Sequence, residues 1–134
     1  MSRYKLLNLI SLILVFLLAA CQRRGAAVDE AADILVDLQV VPDPPAMGEA
    51  LLELSLEDEQ GAPIEGAELE VKGDMTHAGM VPVLADFEEV GEGRYQAEFE
   101  WTMGGDWILT ITGVLPDGRE LMRTLEFTVR SGMH

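Results

Sequence analysis

The 134-residue chain is short of most residues that reactive chemistry uses: one cysteine, Cys21, and two histidines, His77 and His134. A lone thiol excludes a disulfide within the chain. His77 has no serine near it in the sequence, and neither a phosphate-cradling glycine loop nor a zinc-protease motif occurs. Paired carboxylates such as Glu88-Glu89 read as solvated loop residues, so the chain is expected not to be an enzyme. Basic residues are scarce too. Nine Lys and Arg stand against 24 Asp and Glu, a formal charge of −15. That balance excludes nucleic acid as a partner, because phosphate contacts need clustered cations. No apolar run reaches the roughly 20 residues of a membrane-spanning helix, and no helical period appears beyond residue 33.

What is present starts at the amino terminus. "MSRYKLLNLISLILVFLLAAC" opens with Arg3 and Lys5, continues as an apolar run from Leu6 to Ala20, and ends in small residues before Cys21. This is the layout of an export signal, an uncleaved amino-terminal anchor being the alternative. Leu18-Ala19-Ala20-Cys21 resembles the lipobox of bacterial lipoproteins. The resemblance implies a signal peptide over residues 1–20, lipidation of Cys21, and an extracytoplasmic protein held on a bacterial membrane by its acyl chains. Several chains together anchor stably where one is marginal. Removing residues 1–20 leaves seven basic residues against 24 acidic ones, a net −17. A body so charged is repelled by anionic headgroups, which leaves the lipid to hold it. Residues 22–33, "QRRGAAVDEAAD", are small and polar, so 21–33 is expected to be the lipidated cysteine and a flexible tether.

From Ile34 the pattern becomes apolar–polar alternation, the mark of half-buried strands. Ile34, Val36, Leu38 and Val40 share one face. So do Leu52, Leu54 and Leu56, then Ala67, Leu69 and Val71, then Tyr95, Ala97, Phe99 and Trp101. "DWILTITGV" and "ELMRTLEFTVR" continue the series, and "MVPVLADFEEV" is a weaker strand because of Pro82. Turn-formers separate them: "PDPPAMGE", "DEQGAP", "GEG", "TMGGD" and "LPDG". Seven short strands over 34–131 predict an all-β, immunoglobulin-like antiparallel sandwich. A small antiparallel barrel is the other way to close the same strands.

Strands that alternate in direction send the connections after the first, third and fifth strands, and the tail after the seventh, to one pole. Those segments hold Met47; Met75, His77 and Met80; Met103; and Met133 with His134. Five of the six methionines left after removal of Met1, and both histidines, are thus expected at the pole opposite the tether. Parity adds that Met75 and His77 share the inward face of Leu69 and Val71, and Met103 that of Trp101, if the strands stay extended. Thioether is a soft donor and imidazole an intermediate one, a set that favours copper, Cu(I) above all. The candidate ligands are Met75, His77, Met80 and Met103, with Met47 and His134 as weaker ones. For any one of them ordinary packing is the competing reading, since methionine fills irregular core gaps.

The segment "MTHAGM" followed by "GEGRYQAEFEWTMGGDWILTIT" resembles the YtkA-like family, which is related to the FixH-like proteins. The matching elements are the Met/His segment, Gly93-Arg94-Tyr95, and the turn from Met103 to Trp107, which carries one extra residue. The resemblance implies a lipid-anchored sandwich and, through the FixH-like members, copper delivery and assembly of haem–copper oxidases. A cuproprotein or oxidase-assembly protein is then the expected partner, and the domain itself is expected to be a monomer. Periplasmic copper chaperones are a looser likeness, and the second His-x-Met element many of them carry is absent here. The competing reading is a metal-free sandwich module that binds another envelope protein through an adaptable methionine surface.

Overall fold

Alternating side chains generate the strands, and glycines and prolines end them. The computed structural model describes residues 29–132 except Ala78, and over that range the chain is all-β. Eight strands run in order: β1 (Leu35–Val41), β2 (Gly48–Glu57), β3 (Glu68–Met75), β4 (Val83–Asp86), β5 (Glu88–Gly91), β6 (Arg94–Trp101), β7 (Gly105–Val114) and β8 (Glu120–Val129). They form two antiparallel four-stranded sheets, β1-β2-β6-β5 and β4-β3-β7-β8. The sheets share no ladder, so the chain is an immunoglobulin-like sandwich and not a barrel. The signal segment, Cys21, Met133 and His134 lie outside the described residues.

The core is where the alternation places it. Leu52, Leu54 and Leu56 of β2, with Tyr95, Ala97, Phe99 and Trp101 of the adjacent β6, share one core with Leu69 and Val71 of β3 and Trp107, Leu109 and Ile111 of β7 from the other sheet. Each large side chain removed from water in this way contributes about 1.5–3 kcal/mol. Toward one end the core is aromatic. Trp101 packs edge-on against Phe99 and Trp107, with centroids 4.9 and 5.2 Å away. Gly73 makes room for this cluster, because a Cβ there would lie 2.6 Å from the Phe99 ring.

Two features depart from the sequence-based expectation. The fourth strand is not one strand but two. At Phe87 the chain leaves the edge of one sheet, where β4 pairs with β3, and joins the other, where β5 pairs with β6. Phe87 is itself buried, anchoring the crossing between the layers. The second departure is that residues 29–33, expected as the end of the tether, are docked on the domain. Ala31 is fully buried, Glu30 N–H donates to Glu120 O at 3.1 Å, and Arg123 grips the segment. Its guanidinium pairs with Asp29 and donates to Ala31 O at 2.7 Å and Ile34 O at 2.9 Å. A cation met from β8 turns a locally featureless stretch into part of the fold.

Candidate functional site

The polarity of the strands gathers the methionine-bearing segments at one tip. β3 ends there on Met75, which pairs with Trp107 of β7. β6 ends there on Trp101, opposite Gly48 at the start of β2. The connection after β1 reaches the same place, where Met47 N–H donates to Arg130 O at 3.0 Å beyond the end of β8. Met47, Met75, His77, Met80 and Met103 therefore all sit on segments that meet at this tip, and Met122 lies within β8, away from it. The segment 29–34 lies at the far end, against β8's start.

The tip is held by few bonds. The connection between β6 and β7 is tightened by Trp107, whose indole N–H donates to Met103 O at 3.0 Å. It is tied to the β3 end by Thr76 N–H, which donates to Asp106 O at 3.3 Å. Asp106 also accepts from the Thr128 hydroxyl at 2.9 Å. Gly105, the first residue of β7, closes this connection with φ +126°, and a Cβ placed on it would come within 2.9 Å of the Met75 methyl. The Met75 thioether thus lies over the same short turn that carries Met103. Of the two turn glycines, only Gly105 adopts positive φ.

Inward parity extends only as far as the strands do. Met75 is 8% exposed and packs in the core. Met80 is half-buried against that core. His77 and Met103 do not point inward: β3 stops at Met75 and β6 at Trp101, so both residues fall in turns and are solvent-exposed, Met103 at 46%. Met47 is also exposed. The candidate set therefore comprises one buried sulfur, one half-buried sulfur, and an imidazole and a thioether open to solvent. Among the described residues no three His, Cys, Asp or Glu side chains form a metal cage, so sulfur is the feature that distinguishes this tip. Gly105, Asp106 and Trp107 are the neighbours that sequence reasoning did not assign to the site. The signal for them was the run Gly-Gly-Asp-Trp itself, in which a positive-φ glycine leaves space for a side chain from another strand.

The model of the YtkA-like family matches residues 29–112, well over half of the sequence. The chain belongs to the YtkA-like family. The match starts at the docked segment, far ahead of the Met/His stretch, and runs through β1 to most of β7. No curated protein matches the sequence. Among solved structures, a DUF4426 family protein from Pseudomonas aeruginosa PAO1 is similar at 13% identity and a TM-score of 0.60, over 81% of this chain and all of that one. CopC from Methylosinus trichosporium OB3b is similar at 15% identity and a TM-score of 0.51, over 75% of this chain and 98% of that one. The soluble domain of PmoD from Methylocystis sp. is similar at 15% identity and a TM-score of 0.50, over 71% and 90%. At such identities these likenesses speak for the sandwich fold.

Proposed function

We propose that this YtkA-like domain is a lipid-anchored, extracytoplasmic copper-binding protein that acts in copper delivery or in assembly of a haem–copper oxidase. In this reading Cys21 carries the lipid, and Met75, Met80, Met103 and His77 hold Cu(I). The observation that carries it is the Met75 thioether lying over Gly105, in the turn that presents Met103. A strand end and a turn far apart in sequence thus carry soft donors on the same tip, which supports the reading. The donor set fits the ion: thioether sulfur prefers Cu(I) and needs no deprotonation, and imidazole serves as a neutral nitrogen ligand. An exposed His77 and Met103 beside a buried Met75 suit a cargo that must be both held and released. The protein transfers the ion and catalyses nothing, working as a monomer toward a cuproprotein or oxidase-assembly partner.

The test is a Cu(I) titration of the full chain in non-ionic detergent against a competing chelator. The parent is expected to bind, and a His77→Ala, Met103→Ala double variant to bind at least about tenfold more weakly, a loss of about 1.4 kcal/mol. If neither protein competes with the chelator, the copper reading falls. The metal-free module then takes its place, favoured by the exposed apolar side chains of Met47, Val81 and Met103 around this tip.

A further inference from the structure

The sheet switch at Phe87 leaves a gap. β5 pairs with β6 only through Glu88 opposite Gln96, Glu89 opposite Tyr95 and Gly91 opposite Arg94. Beyond Gln96, toward the tip, no strand among the described residues forms a ladder with β6 on that side; β4, bonded to β3 of the other sheet, passes alongside without pairing with it. The hydrogen-bond phase shows what faces the gap. Leu56 N–H donates to Gly93 O at 2.9 Å, and an antiparallel ladder bonds every second pair. Tyr95, Ala97, Phe99 and Trp101 therefore turn their backbone groups toward β2, whereas Glu98 and Glu100 turn theirs outward. Among the described residues no strand pairs with them.

Beside this open edge, the outer face of the sheet carries two adjoining depressions of about 560 and 470 Å³ that share Leu51, Leu84 and Glu98. Leu84 on β4 is 73% exposed and forms one wall. Carboxylates stand beside the apolar side chains of Leu51 and Leu84, and among the described residues neither depression is lined by a lysine or arginine. Glu49 lies directly opposite Glu100, with Glu98 two residues along on the same face. Like charges placed opposite each other on a strand pair are destabilising. Elsewhere on this face the sheet softens the effect: Glu53 pairs with Gln96, whose amide donates to it at 3.4 Å.

We propose that this lane is a docking site for an extended, cationic segment of a partner protein, which adds to the β6 edge as a strand. The segment's backbone would bond Glu98 and Glu100. Its lysines or arginines would neutralise Glu49, Glu98 and Glu100, and its apolar side chains would lie on Leu51 and Leu84. Strand addition supplies affinity through main-chain bonds and specificity through alternate side chains. Charge selects the occupant. A second copy of a chain with formal charge −15 would meet its own sign. A bound metal ion is disfavoured too, since no His/Cys/Asp/Glu cage forms among the described residues. The proposal does not rest on copper.

The probe is a short fluorescent peptide alternating lysine and valine, titrated by anisotropy against the full chain in non-ionic detergent with a copper chelator present. Saturable binding that weakens as salt rises is expected. Glu98→Lys with Glu100→Lys should weaken it by at least about tenfold, and the milder Glu98→Gln, Glu100→Gln pair in the same direction. Glu68→Lys with Glu126→Lys makes the same charge change on the opposite sheet and should leave binding unchanged. Equal loss in both lysine pairs would mean diffuse attraction and overturn the site. A peptide N-methylated at alternate residues should not bind, and if it binds as well as the parent, strand addition is wrong.

Discussion

The two ends of the sandwich are built on different principles. At the base, where residues 29–34 join the domain, charge does the fastening. Arg123 is bonded to Asp29, Ala31 O, Ile34 O and Met122 O, and Arg119 bridges Asp33 at 2.7 Å and Asp117 at 2.8 Å. The Arg119 backbone N–H and guanidinium hold the Asp117 carboxyl below its usual range, and Asp117 in turn raises Arg119. Tyr95 closes the same end: its hydroxyl donates to Ile64 O at 2.7 Å and accepts from Ala67 N–H at 3.1 Å. At the tip the ion pair beside the methionines is Lys72 with Asp74 at 2.9 Å, on the exposed face of β3, where it fastens no second segment. Sulfur, glycine and a few uncharged-donor hydrogen bonds define it. A multidentate guanidinium fixes a chain in one geometry, whereas thioethers on turns leave room for ligands to rearrange.

This contrast can be broken from either side. The largest effect belongs to the base. Arg123→Ala removes the charge partner of Asp29 and a donor from the carbonyls of Ala31, Ile34 and Met122, and is expected to lower unfolding free energy by about 3 kcal/mol. It should also release residues 29–33 to rapid hydrogen exchange. Unchanged exchange there would show that the segment is not held by Arg123. Next comes the tip's one sterically tight point. Gly105→Ala meets both a positive φ and the Met75 methyl, and should cost about 1–3 kcal/mol while displacing the Met75 sulfur. It is therefore expected to weaken Cu(I) binding more than its stability loss alone would.

Tyr95→Phe should cost about 1 kcal/mol in denaturant titrations, by leaving Ile64 O and Ala67 N–H unpartnered. Burial pushes the Tyr95 hydroxyl above its ordinary pKa of 10.0, with the nearby Glu89 and Glu65 charges adding to the rise. The folded state then retains the proton longer than the unfolded state does. The contribution of Tyr95 is whole below pH 10 and lost as pH climbs above it, so the parent should lose stability there and the Phe variant should lose less. The smallest effect on stability is His77→Ala. An exposed turn residue should change the unfolding free energy in a denaturant titration by no more than about 0.5 kcal/mol, whatever it does to copper.

The strands were legible because burial on one side writes itself as alternation. Leu52, Leu54 and Leu56, and Tyr95 to Trp101, appear inside as the pattern requires. Strand direction alone also led Met47, Met75 and Met103 to a common tip. What the pattern does not carry is long-range capture. Nothing around Ala31 announces burial, since its partner is 92 residues away. Nor does a glycine or proline mark the crossing at Phe87, where alternation continues through Val83, Ala85 and Phe87 while the hydrogen-bond partner changes. Parity failed for His77 and Met103 for a simple cause: a period of two holds only while the backbone stays extended, and both lie past a strand end.

The crossover at Phe87 has one further outcome. A single length of chain shared between two layers covers the flank of each for only half its height, so one half-flank on each layer stays bare. The bare stretch beside Glu98 and Glu100 is thus a by-product of connectivity, and it slides toward or away from the sulfur-rich apex as the crossover slides along the chain. Kin that cross over closer to the apex would zip this flank shut, and a visitor's landing strip would be lost with no change in any residue that meets metal.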